Sequence, residues 1–292
     1  MRAWLERQMT SWAGTPCSVE EITGLGQVNR TYAVLGPKGR FVVRLRPGAD
    51  PQAEYRKEAW CIQAAFRMGI PVPKAAIPAR LAGVPVLIES LEPGVNGAQA
   101  QDALPIWRFL GWAAARLAQT PVMGYGPTLV EAGVFADPHS PTWADKIAYN
   151  LTQVGPRDPL AVCAAYAPEQ AGLVRRALQR LARQPLPLGL CHGDLSPRNV
   201  LVCQQGMTLL DFGSAQVAPL PYQNLLDLPR QMEVVNAFCE GYGCDWASLE
   251  PILSGVRLLE RLDKLRWALD HGVPIQPYVQ LVREAVQDIQ EM

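Results

Sequence analysis

No G-x-x-x-x-G-K-[ST] stretch occurs in the 292 residues, so a Walker-type phosphate loop is excluded. Cysteine is sparse and badly spaced for structural use. The seven residues are odd in number and contain no C-x-x-C pair, which argues against a disulfide framework and against a zinc site. They are expected to be reduced, buried small hydrophobes. Excess charge of either sign is also missing, with 27 Lys and Arg against 27 Asp and Glu. The short basic pairs Arg44/Arg46 and Arg175/Arg176 make no broad positive field, so nucleic acid is not an expected partner. The longest apolar stretches are broken by Arg108 and Arg116, so none spans a bilayer. Met1 to Glu6 lacks the apolar core of a signal peptide, and the expected compartment is the cytoplasm. No internal repeat or low-complexity tract stands out.

What remains is a chain at 49% hydrophobic composition, long enough to bury a full core and too long for one small domain. Residues 22–46 read as two strands around the turn Pro37-Lys38-Gly39. Apolar Tyr55, Ala59, Ile62 and Phe66 form a helical stripe over 52–68, ended by Gly69 and Pro71. Residues 85–91 read as a buried strand running into Pro93-Gly94. Beyond Gly94 the period becomes helical, over 104–119, 143–154, 168–184, 229–240, 247–271 and 276–292. The expected class is α+β: a small, mostly sheet lobe over 1–93 and a larger helical lobe over 94–292. A linker lies at about 91–97, and a cleft between the lobes holds ligands.

The densest chemistry lies in Leu190-Cys191-His192-Gly193-Asp194-Leu195-Ser196-Pro197-Arg198-Asn199, followed by Leu209-Leu210-Asp211-Phe212-Gly213. Two apolar strands, 199–202 and 207–210, flank a turn at Gln205-Gly206, and a hairpin there lets Asn199 and Asp211 converge. One carboxylate and one amide oxygen suit magnesium once nucleotide phosphates supply further oxygens. Asp194 stands before this pair, placed to accept the proton of an attacking hydroxyl. Phosphoryl transfer asks chiefly for positioning and charge neutralisation, which these three residue types can supply. A lone loop aspartate more often caps a helix or turn; the joint order is what carries the reading.

This HGDxxxxN…DFG order resembles the catalytic loop and metal-binding turn of the aminoglycoside phosphotransferase and choline kinase family, in the protein-kinase-like superfamily. Gly193 stands where a protein kinase would usually carry Arg. The resemblance implies a two-lobe protein-kinase-like fold, ATP and Mg2+ as cofactors, Asp194 as catalytic base, and Asn199 and Asp211 as metal ligands. His192 then has a structural role in the loop. It further implies a phosphate-holding cation on the 41–44 strand, here Arg44 where lysine is commoner and Arg46 its fallback. The partner is Glu58, thirteen residues before Pro71, with Glu54 as rival. Gly26 and Asn29, in Gly24-Leu25-Gly26-Gln27-Val28-Asn29, read as a phosphate-approaching loop or a plain β-turn. Adenine contacts are implied near Glu89, Ser90 and Leu91, through the main chain.

The implied activity is ATP-dependent transfer of a γ-phosphate to a hydroxyl of a small molecule, by a monomer or homodimer. Two alternatives remain open: a metabolic choline, ethanolamine, homoserine or thiamine kinase, and a nucleotide-binding pseudokinase. An acidic acceptor pocket drawing on Glu233, Glu240, Asp245 and Glu250 would suit polycations. An aromatic cage of Trp143, Tyr242 and Trp246 would suit choline, although those rings read better as core.

Overall fold

The computed structural model describes residues 1–22, 29–46 and 50–291. Helix α1 (Arg2–Ala13) precedes strands β1 (Ser18–Ile22), β2 (Arg30–Gly36) and β3 (Gly39–Leu45). Helix α2 (Gln52–Arg67) follows, then β4 (Ala76–Leu81) and β5 (Val84–Ser90). The five strands form one antiparallel sheet in the order β1-β2-β3-β5-β4.

Side chains alternate across a strand, and this sheet separates two environments accordingly. Val43 and Leu45 of β3, with Val86 and Ile88 of β5, join Leu5 and Met9 of α1 in one apolar cluster. Arg44, Leu87 and Glu89 take the opposite face, where α2 lies; Leu87 shares a core with Tyr55, Ala59 and Ile62. That second core continues from α2 into the helical part of the chain.

The region expected to be a linker is not free. Val95–Asn96 form β6, which pairs with β11 (Val200–Cys203), while β11 also pairs with β12 (Gly206–Leu209). A Cβ on Gly97 would lie 2.6 Å from the Pro197 carbonyl, so only glycine permits this approach. The β11–β12 hairpin turns at Gln204-Gln205, one residue earlier than the Gln205-Gly206 turn chemistry suggested, because Cys203 pairs with Gly206.

Helix α3 (Leu104–Leu117) leads to a small sheet of β7 (Met123–Gly124), β8 (Thr128–Glu131) and β9 (Val134–Ala136). Next come α4 (Trp143–Gln153), the short α5 (Pro159–Val162) and α6 (Ala171–Leu181). The helix expected over 168–184 opens as a 3-10 turn at Pro168–Gln170 before α6. Strand β10 (Leu188–Cys191) pairs antiparallel with β13 (Gln216–Pro219), matching Cys191 to Gln216. Helices α7 (Tyr222–Leu225), α8 (Met232–Tyr242), α9 (Trp246–Asp270) and α10 (Gln276–Gln290) complete the chain. Among the described residues, no helix is long and apolar enough to cross a membrane. All seven cysteines are free; four are buried and Cys163, Cys203 and Cys244 are partly exposed.

Candidate active site

Strand β10 delivers the chain into His192-Gly193-Asp194, and β12 delivers it into Asp211-Phe212-Gly213. The two turns meet through His192. Its ring is fully buried and sits edge-on to Phe212, with centroids 4.7 Å apart. Nε2 lies 2.9 Å from the Leu210 carbonyl, and the Asp194 N–H donates to Nδ1 at 3.3 Å. A carbonyl only accepts and an amide N–H only donates, so these partners assign a neutral ring with its proton on Nε2. Burial pushes the His192 pKa below its ordinary value.

A depressed histidine pKa leaves the unfolded chain binding more protons as pH falls below about 6.5, so acid destabilises the fold. We expect melting temperature to drop between pH 6.5 and 5, with a loss of up to about 1.4 kcal/mol per pH unit from this group. His192→Asn should flatten that acid limb; an unchanged limb in thermal denaturation would contradict the assignment.

Asp194 has a half-buried side chain whose two oxygens accept from Arg198 Nη2 at 2.7 and 2.9 Å. Its backbone carbonyl accepts from Asn199 Nδ2 at 2.8 Å. That bond orients the buried Asn199 amide and leaves Oδ1 without a hydrogen bond among the described residues. The Leu210 N–H donates to the Asn199 carbonyl at 2.8 Å, tying this loop to the approach of Asp211. Asp211 adopts a left-handed conformation with φ 61°, and its exposed carboxylate lies 3.7 Å from Arg44 Nη1.

The buried cation is shared. Arg44 Nη2 bonds Glu58 Oε1, and Arg44 Nε donates to Glu89 Oε2 at 2.8 Å. Burial opposes the Arg44 charge, but Glu89, Glu58 and Asp211 together outweigh it and raise the Arg44 pKa. The guanidinium therefore stays charged. Burial pushes the Glu58 carboxyl upward, against the pull of Arg44 and with the push of Glu89. The rivals pair with each other: Arg46 Nη2 meets Glu54 at 2.8 Å in an exposed bridge. A two-residue step on β3 thus matches a four-residue step on α2.

Other expected residues fall out differently. Gly26 lies outside the described residues. Asn29 accepts from Tyr55 Oη at 3.2 Å, which links it to α2. Glu89, expected to act through its main chain, commits its side chain to Arg44. The Leu91 N–H donates to Arg40 O at 3.0 Å and the Ser90 N–H to Ala75 O at 3.0 Å, so both amides serve the sheet. Trp143 packs edge-on to Tyr125 and Tyr242 stacks on Phe238, as core rings do.

Lys57 was not anticipated. It is buried, its Nζ donates to the Gly213 carbonyl at 2.8 Å, and it makes no salt bridge among the described residues. Burial lowers its pKa. The signal that finds it is spatial: Lys57 adjoins Glu58 on α2, whose buried side meets the Phe212–Ser214 turn.

Magnesium fits this donor set. Asn199 Oδ1 and the Asp211 carboxylate are hard oxygens on linked turns. No cluster of three or more His, Cys, Asp or Glu able to hold a metal exists among the described residues. Such a pair holds a cation together with phosphate oxygens rather than as an all-protein cage.

The fold is protein-kinase-like, and Gly193 in place of arginine puts the chain with the small-molecule kinases of that class. Residues 19–252 match the model of the phosphotransferase enzyme family. The chain belongs to that family. No curated protein matches it in sequence. Among solved structures, an aminoglycoside phosphotransferase, APH(4)-Ia, is similar with TM-score 0.66 at 17% identity, over 100% of this chain and 98% of that one. Spectinomycin phosphotransferase APH(9)-Ia, in complex with ADP and spectinomycin, gives TM-score 0.54 at 17% identity, over 93% and 92%. A putative fructosamine-3-kinase from Haemophilus somnus 129PT gives TM-score 0.63 at 13% identity, over 98% and 96%. At these identities the likeness concerns the fold.

Proposed function

We propose that this enzyme, an ATP-dependent small-molecule kinase, uses Asp194 as base toward an acceptor hydroxyl, with Asn199 and Asp211 as ligands of magnesium. The single observation that carries this is the bonded path joining Asp194 and Asn199 to Leu210, the residue before Asp211: Asp194 to Asn199, Asn199 to Leu210, and His192 bridging Leu210 to Asp194. Bound magnesium would neutralise charge on the transferred phosphoryl group. Arg44 presents its remaining edge beside Asp211, where the α- and β-phosphates would lie. Glu58 and Glu89 hold it there, and if either carboxylate is removed the other still pairs with the buried guanidinium. Residues 1–93 act as the nucleotide lobe and 94–292 as the catalytic and acceptor lobe, in the cytoplasm, as a monomer or homodimer. Gly26 and Asn29 approach the phosphates, and the segment through Glu89 and Leu91 borders adenine.

Lys57 serves as a brace for the metal turn, because a buried ammonium spent on one backbone carbonyl stabilises that carbonyl's position at some cost to the fold. Lys57→Met is expected to raise the magnesium concentration for half-maximal rate by about tenfold, the worth of one charge-assisted hydrogen bond. Acceptor KM should change little, and Lys57→Arg should recover part of the loss. Steady-state rates over a magnesium titration test this; an unchanged midpoint would contradict it. The activity itself is tested by coupled ADP detection across hydroxylated compounds. Nucleotide binding with no ADP from any compound would favour the pseudokinase.

A further inference from the structure

The contact between Arg198 and Asp194 is unused by the mechanism above. One guanidinium nitrogen, Nη2, occupies both carboxylate oxygens of the base. The backbone of Arg198 is fixed, since its carbonyl accepts from Asn96 Nδ2 at 2.8 Å. Its side chain is 66% exposed, and Nε and Nη1 make no hydrogen bond among the described residues. An anchored backbone therefore carries an exposed cation, with Nε and Nη1 left free of protein partners among the described residues.

We propose that Arg198 is the specificity-determining cation of the acceptor subsite, selecting acceptors whose reacting hydroxyl lies near a carboxylate or phosphate and disfavouring polycations. This rests on the reading of Asp194 as the group that meets the acceptor hydroxyl. A hydroxyl donating to Asp194 lies about 2.6–3.2 Å from a carboxylate oxygen. Groups on neighbouring carbons must then fall within reach of a guanidinium bonded to that same carboxylate. The planar fork of arginine binds carboxylate and phosphate through two parallel N–H bonds. An exposed ion pair contributes little to stability, so Arg198 can exchange Asp194 for an acceptor anion at small cost. That exchange also frees the base to take the hydroxyl proton.

The surrounding charges agree with this choice. An ammonium group at the same place would meet the guanidinium instead of a free carboxylate.

The test uses the full chain, as wild type, Arg198→Gln and Arg198→Lys, with ADP formation measured over hydroxy acids and sugar phosphates, neutral polyols, and aminoglycosides. Calorimetric binding of the same compounds to the ADP- and magnesium-loaded enzyme accompanies it. We expect wild type to favour an anionic acceptor by at least tenfold in kcat/KM or affinity. Arg198→Gln should lose at least tenfold more toward anionic than toward neutral compounds, chiefly in KM, and Arg198→Lys should restore part of it. Wild-type preference for aminoglycosides, an equal loss toward all classes, or anion binding indifferent to Arg198 would each overturn the proposal. The phosphotransfer reading fails by a different sign: no ADP from any compound, with Asp194→Asn indistinguishable from wild type.

Discussion

Asp194→Ala is expected to lower turnover by about 10²–10⁴-fold, the usual worth of a positioned general base, while ADP and magnesium binding stays within about threefold (a difference below 1 kcal/mol). The separation follows from which atoms Asp194 uses. Its side chain touches Arg198, whereas its carbonyl and N–H hold Asn199 and His192. Alanine keeps both backbone contacts, so the Asn199 amide and the turn at Asp211 stay in place. Coupled ADP assays give the first quantity and calorimetry the second. Equal loss of both in a folded variant would contradict the assigned role.

Gly193→Ala is expected to damage both fold and catalysis. Gly193 sits at φ 79°, and a Cβ there would lie 2.0 Å from the Ser214 carbonyl oxygen. The left-handed backbone alone costs a side chain about 1–2 kcal/mol, and forcing a methyl group against packed backbone adds about 1–3 kcal/mol. The contact joins the loop of Asp194 to the turn after Asp211, so relief by backbone shift would move Asp194 relative to Asp211. Gly69 supplies the control: at φ 77° with nothing within 4 Å of a built Cβ, it carries the backbone cost without the clash. Thermal denaturation should rank Gly193→Ala well below Gly69→Ala, with turnover lost only in the former. Equal melting temperatures and full activity would contradict the close approach.

Gly193 also explains why the motif was legible. The residues proposed to carry the chemistry are clustered in sequence, and a backbone requirement such as the positive φ of Gly193 leaves a composition mark. The ion pair Arg44–Glu58 was readable for a related reason. A period of two on β3 and of about four on α2 sets Arg44 against Glu58 and Arg46 against Glu54, and only the first pair is buried. Which glutamate belonged to which arginine depended on the offset between strand and helix, and the sequence does not encode that offset locally.

Other features required pairings between distant segments. Glu89 meets Arg44 because Val42 pairs with Glu89 and Arg44 with Leu87, a register visible only in the assembled sheet. Lys57 reads from sequence as a surface charge beside Arg56, yet the Gly213 carbonyl, 156 residues away, takes its ammonium. Helix α1 shows the opposite failing. Its buried Leu5, Met9 and Ala13 stand four residues apart, so the sequence does carry the period of a helix face there. The supposed linker reads as a loop from Pro93-Gly94, but β6 pairs with β11 and fixes residues 95–96 to the catalytic hairpin.

The central claim is that Asn199 and Asp211 hold one divalent ion on the nucleotide phosphates beside Asp194. A crystal structure of the enzyme with magnesium and a non-hydrolysable ATP analogue measures this directly. The account predicts an ion at about 2.0–2.1 Å from Asn199 Oδ1 and an Asp211 carboxylate oxygen, with the terminal phosphoryl group facing Asp194. An ion held by neither side chain, or a nucleotide whose terminal phosphate points away from Asp194, would contradict it.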